Sequence, residues 1–256
     1  MSWWLLPFLM ALLIGGLCPI CGTLLLVQGR LLQCNLIAHA VLPGVVAAVA
    51  LGLSPGLGGV ASGLGGALLA ERLVGRSDRH RDAVLNTTMA GFLGLGVLLI
   101  PLLGVRVELE GLLFGDLLLV SPSDLAWGGA ALALLLALLA RRYQALVYVG
   151  VDPVGAAASG IKVQRLQLAL SLVTAVVVVT TMTAVGVILV VALMGAPALL
   201  TLRGAPSLRV AMVRGAALGM VVSGGGFLLA LPLNLPPGPL IGVLCIVLLF
   251  PPFRRI

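Results

Sequence analysis

The chain has 256 residues, 61% of them hydrophobic and only 9% charged, with a formal net charge of +7. Soluble domains carry about 25% charged residues, so a soluble fold is excluded and an integral membrane protein is expected. The basic residues are scattered over short loops and helix ends, with no basic face and no aromatic interleaving, which argues against a nucleic-acid partner. The apolar runs are continuous rather than alternating, which argues against a barrel.

In chain order, apolar stretches of about 20 residues recur, each long enough to cross the hydrocarbon layer as a helix. Nine spans are expected, near 3–27, 34–53, 56–72, 84–104, 124–141, 165–183, 185–201, 210–230 and 239–253, with eight as the fallback if the first run is peripheral. The first run opens "MSWWLLPFLM" without a basic n-region and reads as a retained span rather than a cleaved signal peptide. Its Cys18 and Cys21 form a CxxC inside apolar sequence, so the thiols read as small buried hydrophobes.

The second run contains "NLIAHAVLPG" (35–44), where an imidazole sits among aliphatic side chains. Asn35 lies four residues before His39, which on a helix stacks the two on one face. Pro43 lies four residues after it and has no N–H to donate to the carbonyl of His39. Ionisable groups within a span are costly, so His39 is a candidate functional residue. The third run, "GLGGVASGLGGALLA" (56–70), fits close packing through small residues. His80 in "GRSDRHRD" reads as a solvated loop residue.

With the N-terminus outside, every Lys and Arg except Arg106 falls on or near the cytoplasmic side, in or beside loops that include 73–83, 142–164 and 202–209. The outer loop carries Glu108, Glu110 and Asp116. Hydroxyls within spans, such as Ser171, Thr180, Thr181 and Ser223, are expected to bond to a preceding turn or a neighbouring helix. "VDPVGAAASGI" (151–161) departs from a simple turn. Asp152 is a helix N-cap, Pro153 occupies the first helical position and Gly160 is a C-cap, which predicts a short, smooth helix near 152–160.

Together, in this order, several segments resemble the permease family of ATP-binding cassette importers for zinc, manganese and iron. "LLVQGRLLQCNLIAHAVLPGV" looks like its first cytoplasmic turn and its Asp-x-x-x-His-Ala-x-x-Pro-Gly helix. "LLFGDLLLVSPSDL" (112–125) resembles its re-entrant outer segment, and "DPVGAAASGI" its coupling segment. "AVGVILVVALMGAPA" (184–198) is similar to its Ala-Val-Gly helix and "LPPGP" (235–239) to its last outer turn. The resemblance implies an all-α polytopic fold like that of the vitamin B12 importer permeases, with 1–256 as one transmembrane permease domain in a bacterial plasma membrane.

It also implies the partners: a second permease copy, a cytoplasmic ATP-binding subunit, an extracytoplasmic metal-binding protein and membrane lipid. The metal candidates are His39 and Asn35, the latter where the family usually has Asp. The ATPase-coupling candidates are Asp152, Pro153, Gly155, Ala157 and Gly160. No permanently bound cofactor is expected, only the transported divalent metal, zinc or manganese. A neutral amide oxygen beside imidazole leans slightly to zinc, since manganese prefers carboxylates.

The chain has a single Lys, Lys162, and no G-x-x-x-x-G-K-[ST], so ATP is handled by another polypeptide. A permease of the same fold for a siderophore or vitamin is the alternative. An intramembrane enzyme is disfavoured: G-x-S-G and H-E-x-x-H are absent, and no second Asp accompanies Asp116 within a span.

Overall fold

A computed structural model describes residues 4–74, 80–105 and 115–250. Ten α-helices and a 3₁₀ turn follow one another, and no strand occurs among the described residues. They are α1 (Leu5–Val27), α2 (Leu31–Ala50), α3 (Pro55–Val74) and α4 (Arg81–Leu103), then the 3₁₀ turn (Leu117–Leu119). They continue as α5 (Pro122–Val151), α6 (Pro153–Ala158), α7 (Val163–Val185), α8 (Val187–Leu202), α9 (Leu208–Leu233) and α10 (Pro237–Leu249). Each of the nine expected spans is a helix. Seven have the length and hydropathy to cross a membrane, whereas α8 and α10 are shorter apolar helices.

Boundaries follow local chemistry. Ser121 and Asp124 form a reciprocal capping box at the start of α5, with Pro122 in its first turn. The Ser207 hydroxyl accepts from the Val210 N–H at the start of α9. Gly186, at φ +83°, separates α7 from α8. The outer Gly115 backs directly onto this break, where a Cβ would run into the Val185 and Gly186 backbone.

Three expected boundaries are corrected. The second span begins at Leu31 and ends at Ala50, because Gly29 and Gly52, both at positive φ, set its limits. The third extends two residues past its expected end, to Val74. The fifth runs ten residues past its expected end at 141, because nothing in "RRYQALVYVGV" breaks a helix before Asp152-Pro153. The acidic residues Glu108 and Glu110, together with Arg106, Trp3 and the C-terminal "FRRI", lie outside the described residues.

The core sits between α1, α2, α7 and α8, whose inner faces bury Met10, Ile14, Leu17, Val178, Leu193 and Met194 completely. The first apolar run is thus central rather than peripheral. Small residues let the helices meet. A Cβ on Gly44 of α2 or Gly58 of α3 would strike the other's backbone, as would one on Gly15 of α1 or Gly219 of α9. The span hydroxyls bond as expected for packing residues. Thr180 and Thr181 donate to the carbonyls of Val176 and Val177, and Ser223 to those of Gly219 and Ala11. The four cysteines are free and buried.

Candidate functional site

On α2, Gln33, Cys34, Leu36, Ile37, Ala38 and Ala40 are buried, while Leu32, Asn35 and His39 are not. These three lie at i, i+3 and i+7, one strip of the helix that the other described residues leave partly exposed. The helix continues through Pro43, so the His39 carbonyl loses the N–H it would otherwise receive. Among the described residues no hydrogen bond holds the side chain of Asn35 or His39. The imidazole and the amide thus share one partly exposed strip of α2.

One chain does not complete a metal site there. No group of three or more His, Cys, Asp or Glu positioned to hold an ion occurs among the described residues. The two thiols of the CxxC are fully buried, and Cys21 Sγ lies 3.5 Å from Thr174 Oγ1.

The segment at 152–160 forms the expected short helix, α6. The Asp152 carboxylate accepts from the Gly155 N–H at 2.8 Å. At its end Gly160 takes φ +86°, with Gly160 N–H bonded to the Ala157 carbonyl and Ile161 N–H to that of Ala156. That pair of bonds is a Schellman ending, possible because glycine tolerates positive φ. Asp152, Pro153 and Ala157 are exposed. Gly155 is different. A Cβ there would collide with the Asp152 carboxylate and sit 2.9 Å from Tyr148 Oη, so it faces inward. Val154, 78% exposed, is the apolar surface residue that sequence reasoning passed over.

Sequence reasoning also missed a buried polar assembly where the turn before α2 meets α2, α3 and α7. Arg30, only 3% exposed, was read as a loop residue. Its Nη2 pairs with Glu71 Oε2 of α3 at 2.7 Å. Gln33 Nε2 donates to Glu71 Oε1 at 2.9 Å and to Ser171 Oγ of α7 at 2.8 Å. The Ser171 hydroxyl in turn donates to the Glu71 carboxylate. One carboxylate thus receives an ion pair and two neutral donors, which is what a charge away from water requires. The available signal was Glu71 itself, the one acidic residue adjoining the third apolar run.

The family model of the ABC 3 transport family matches residues 4–254. The chain belongs to the ABC 3 transport family. It is 31% identical to the manganese import system permease protein ScaB of Streptococcus gordonii over 228 residues, 89% of this chain and 82% of the relative. It is 34% identical to the manganese transport system membrane protein MntC of Halalkalibacterium halodurans over 174 residues, 67% of this chain and 59% of that one. Among solved structures it is similar to PsaBC from Streptococcus pneumoniae in complex with Fab. The TM-score is 0.84 at 26% identity, covering 97% of this chain and 90% of that one. As an ABC 3 chain it is a multi-pass membrane protein with the all-helical permease fold that the sequence motifs imply.

Proposed function

We propose that this chain is the permease subunit of an ABC importer that moves a divalent transition metal, manganese first among the candidates, into a bacterial cytoplasm. The observation that carries the reading is the partly exposed strip of α2 bearing Asn35 and His39. Two copies meeting across a two-fold axis at this strip would offer two imidazole nitrogens and two amide oxygens, without any carboxylate. Neutral donors hold a cation weakly, which suits passage rather than storage. The relatives named for manganese favour that metal over zinc, and over a siderophore or vitamin, while the imidazole–amide donor set keeps zinc as the comparison cation.

The chain then works as one permease domain, 1–256, in a homodimer. A separate ATP-binding subunit docks on the exposed face of α6 formed by Asp152, Pro153, Val154 and Ala157. An extracytoplasmic metal-binding protein delivers the ion at the opposite end, around Gly115–Val120. The sidedness follows the basic residues, with the α6 end in the cytoplasm.

Manganese uptake by cells carrying His39→Ala tests the site, with zinc measured in parallel. His39 is half-buried and makes no internal bond, so the variant folds and inserts while uptake is lost. Uptake at the wild-type rate would mean that the ring is a packing residue.

A further inference from the structure

The three-residue turn between α1 and α2 touches both helices that frame α6. On one flank, Gln28 Nε2 donates to the Leu146 carbonyl of α5 at 3.4 Å. Gly150 of α5 packs so close that a Cβ there would lie 2.6 Å from Val27 Cγ1. On the other flank, Arg30 Nη1 donates to the Gln167 carbonyl and to Ser171 Oγ of α7, both at 3.4 Å. Glu71, which pairs with Arg30, also accepts from Gln33 and Ser171, so α2, α3 and α7 are tied at one point.

The helix that starts at this knot is the one that carries the candidate metal donors. His39 stands nine residues beyond Arg30, about 13 Å along a helix. Above it, Pro43 removes one rung of the α2 ladder, which marks the place where α2 would bend most easily. The contacts around the carboxylate are short and charge-assisted, whereas those to the Leu146 and Gln167 carbonyls are long. The carboxylate therefore ties α2, α3 and α7 firmly, while Gln28 reaches α5 through a long bond.

We propose that Arg30, held by Glu71, Gln33 and Ser171, is a positioning residue that transmits the movement of α6, through α7, to the metal-site segment of α2. The inference rests on reading α6 as the ATPase docking helix and Asn35–His39 as the metal donors. Arg30 touches neither metal nor nucleotide. Motion of α7 carries Ser171 with it, and the shared carboxylate draws the base of α2 along, which reorients His39 relative to its copy across the two-fold axis.

The test is the complete importer in proteoliposomes, supplied with manganese and ATP, with uptake and hydrolysis measured together. In Arg30→Gln, manganese carried per ATP hydrolysed falls about tenfold or more, within the usual size of a coupling between sites. Manganese binding to the solubilised complex is unchanged, because the donors are intact, and Arg30→Lys recovers part of the ratio. Ser171→Ala, which removes the short link from α7 to the carboxylate and keeps the ion pair and the long Arg30–Gln167 bond, lowers the same ratio and decides the matter if Arg30→Gln fails to insert. An unchanged ratio in both variants overturns the proposal, as does a parallel fall of uptake and hydrolysis, which marks a purely structural knot. A wild-type complex that hydrolyses ATP without carrying manganese would instead remove the functional reading beneath it.

Discussion

Replacing Glu71 by Leu should destabilise the protein far more than replacing Glu71 and Arg30 by Leu together. The single change leaves the guanidinium of Arg30, 3% exposed, without its counter-charge, and takes one acceptor each from Gln33 and Ser171. Breaking a buried ion pair from one side costs about 3–5 kcal/mol. The Glu71 side chain keeps 16% of its surface exposed, so some water reaches the carboxylate and the lower figure applies. Without the carboxylate, Arg30 keeps only long bonds to the Gln167 carbonyl and Ser171 Oγ, and Gln33 Nε2 keeps Ser171 Oγ, neutral acceptors that do not replace the lost charge. The expected loss is therefore about 3 kcal/mol for Glu71→Leu and similar for Arg30→Leu. For the double variant, about 1 kcal/mol or less is expected, since an apolar pair of matched volume often replaces a buried ion pair without loss. Reversible unfolding of the purified protein in mixed micelles, with the full double-mutant cycle, measures all three. A double variant whose loss equals the sum of the singles would show that the two charges do not depend on one another, and the assembly would be a coincidence of packing.

Asn35→Asp restores a charge one turn below His39 and should bind manganese more tightly while releasing it more slowly, visible as a lower apparent Kd with reduced turnover. Ala157→Cys should be labelled by a membrane-impermeant maleimide in inverted vesicles and not in intact cells, because the exposed face of α6 lies at the basic end of the bundle. Ala157→Glu should abolish ATPase association without affecting insertion. Gly155→Glu should also disrupt α6 itself, since its Cβ points at Asp152 and Tyr148, and circular dichroism of a peptide would not separate the two whereas crosslinking to the ATPase would. Manganese uptake should fall on acidification as the imidazole protonates and ceases to ligate.

The nine apolar runs and the short α6 were legible because each is written locally. Twenty apolar residues specify a span, and Asp-Pro followed seven residues later by glycine specifies one capped turn. The length of α5 was lost because polar residues at 141–144 looked like a loop, although an α-helix that leaves the bilayer needs no change of backbone. Arg30, Glu71 and Ser171 escaped notice for another reason. Each alone resembles an ordinary residue of a helix end or span, and their partnership joins positions 41 and 141 residues apart. Only the packing of α2 against α3 and α7 turns them into one object. The same holds for His39: its spacing from Asn35 was local, but that both stand on the strip left partly exposed depends on where every other helix went.

The 30 residues of α5 span about 45 Å, against a hydrocarbon layer of about 30 Å. Measured from Pro122, Arg141 and Arg142 fall about 29 Å along the axis, close to the thickness of that layer. The nine residues from Tyr143 to Val151 add about 13 Å of helix, packed on the bundle through buried Leu146 and Val149. Then comes α6. On the proposed reading, an ATPase seated on α6 would meet a surface carried by a helix longer than the hydrocarbon layer is thick, so modest thinning or thickening of the bilayer would change how much of α5 is immersed before it reached that surface.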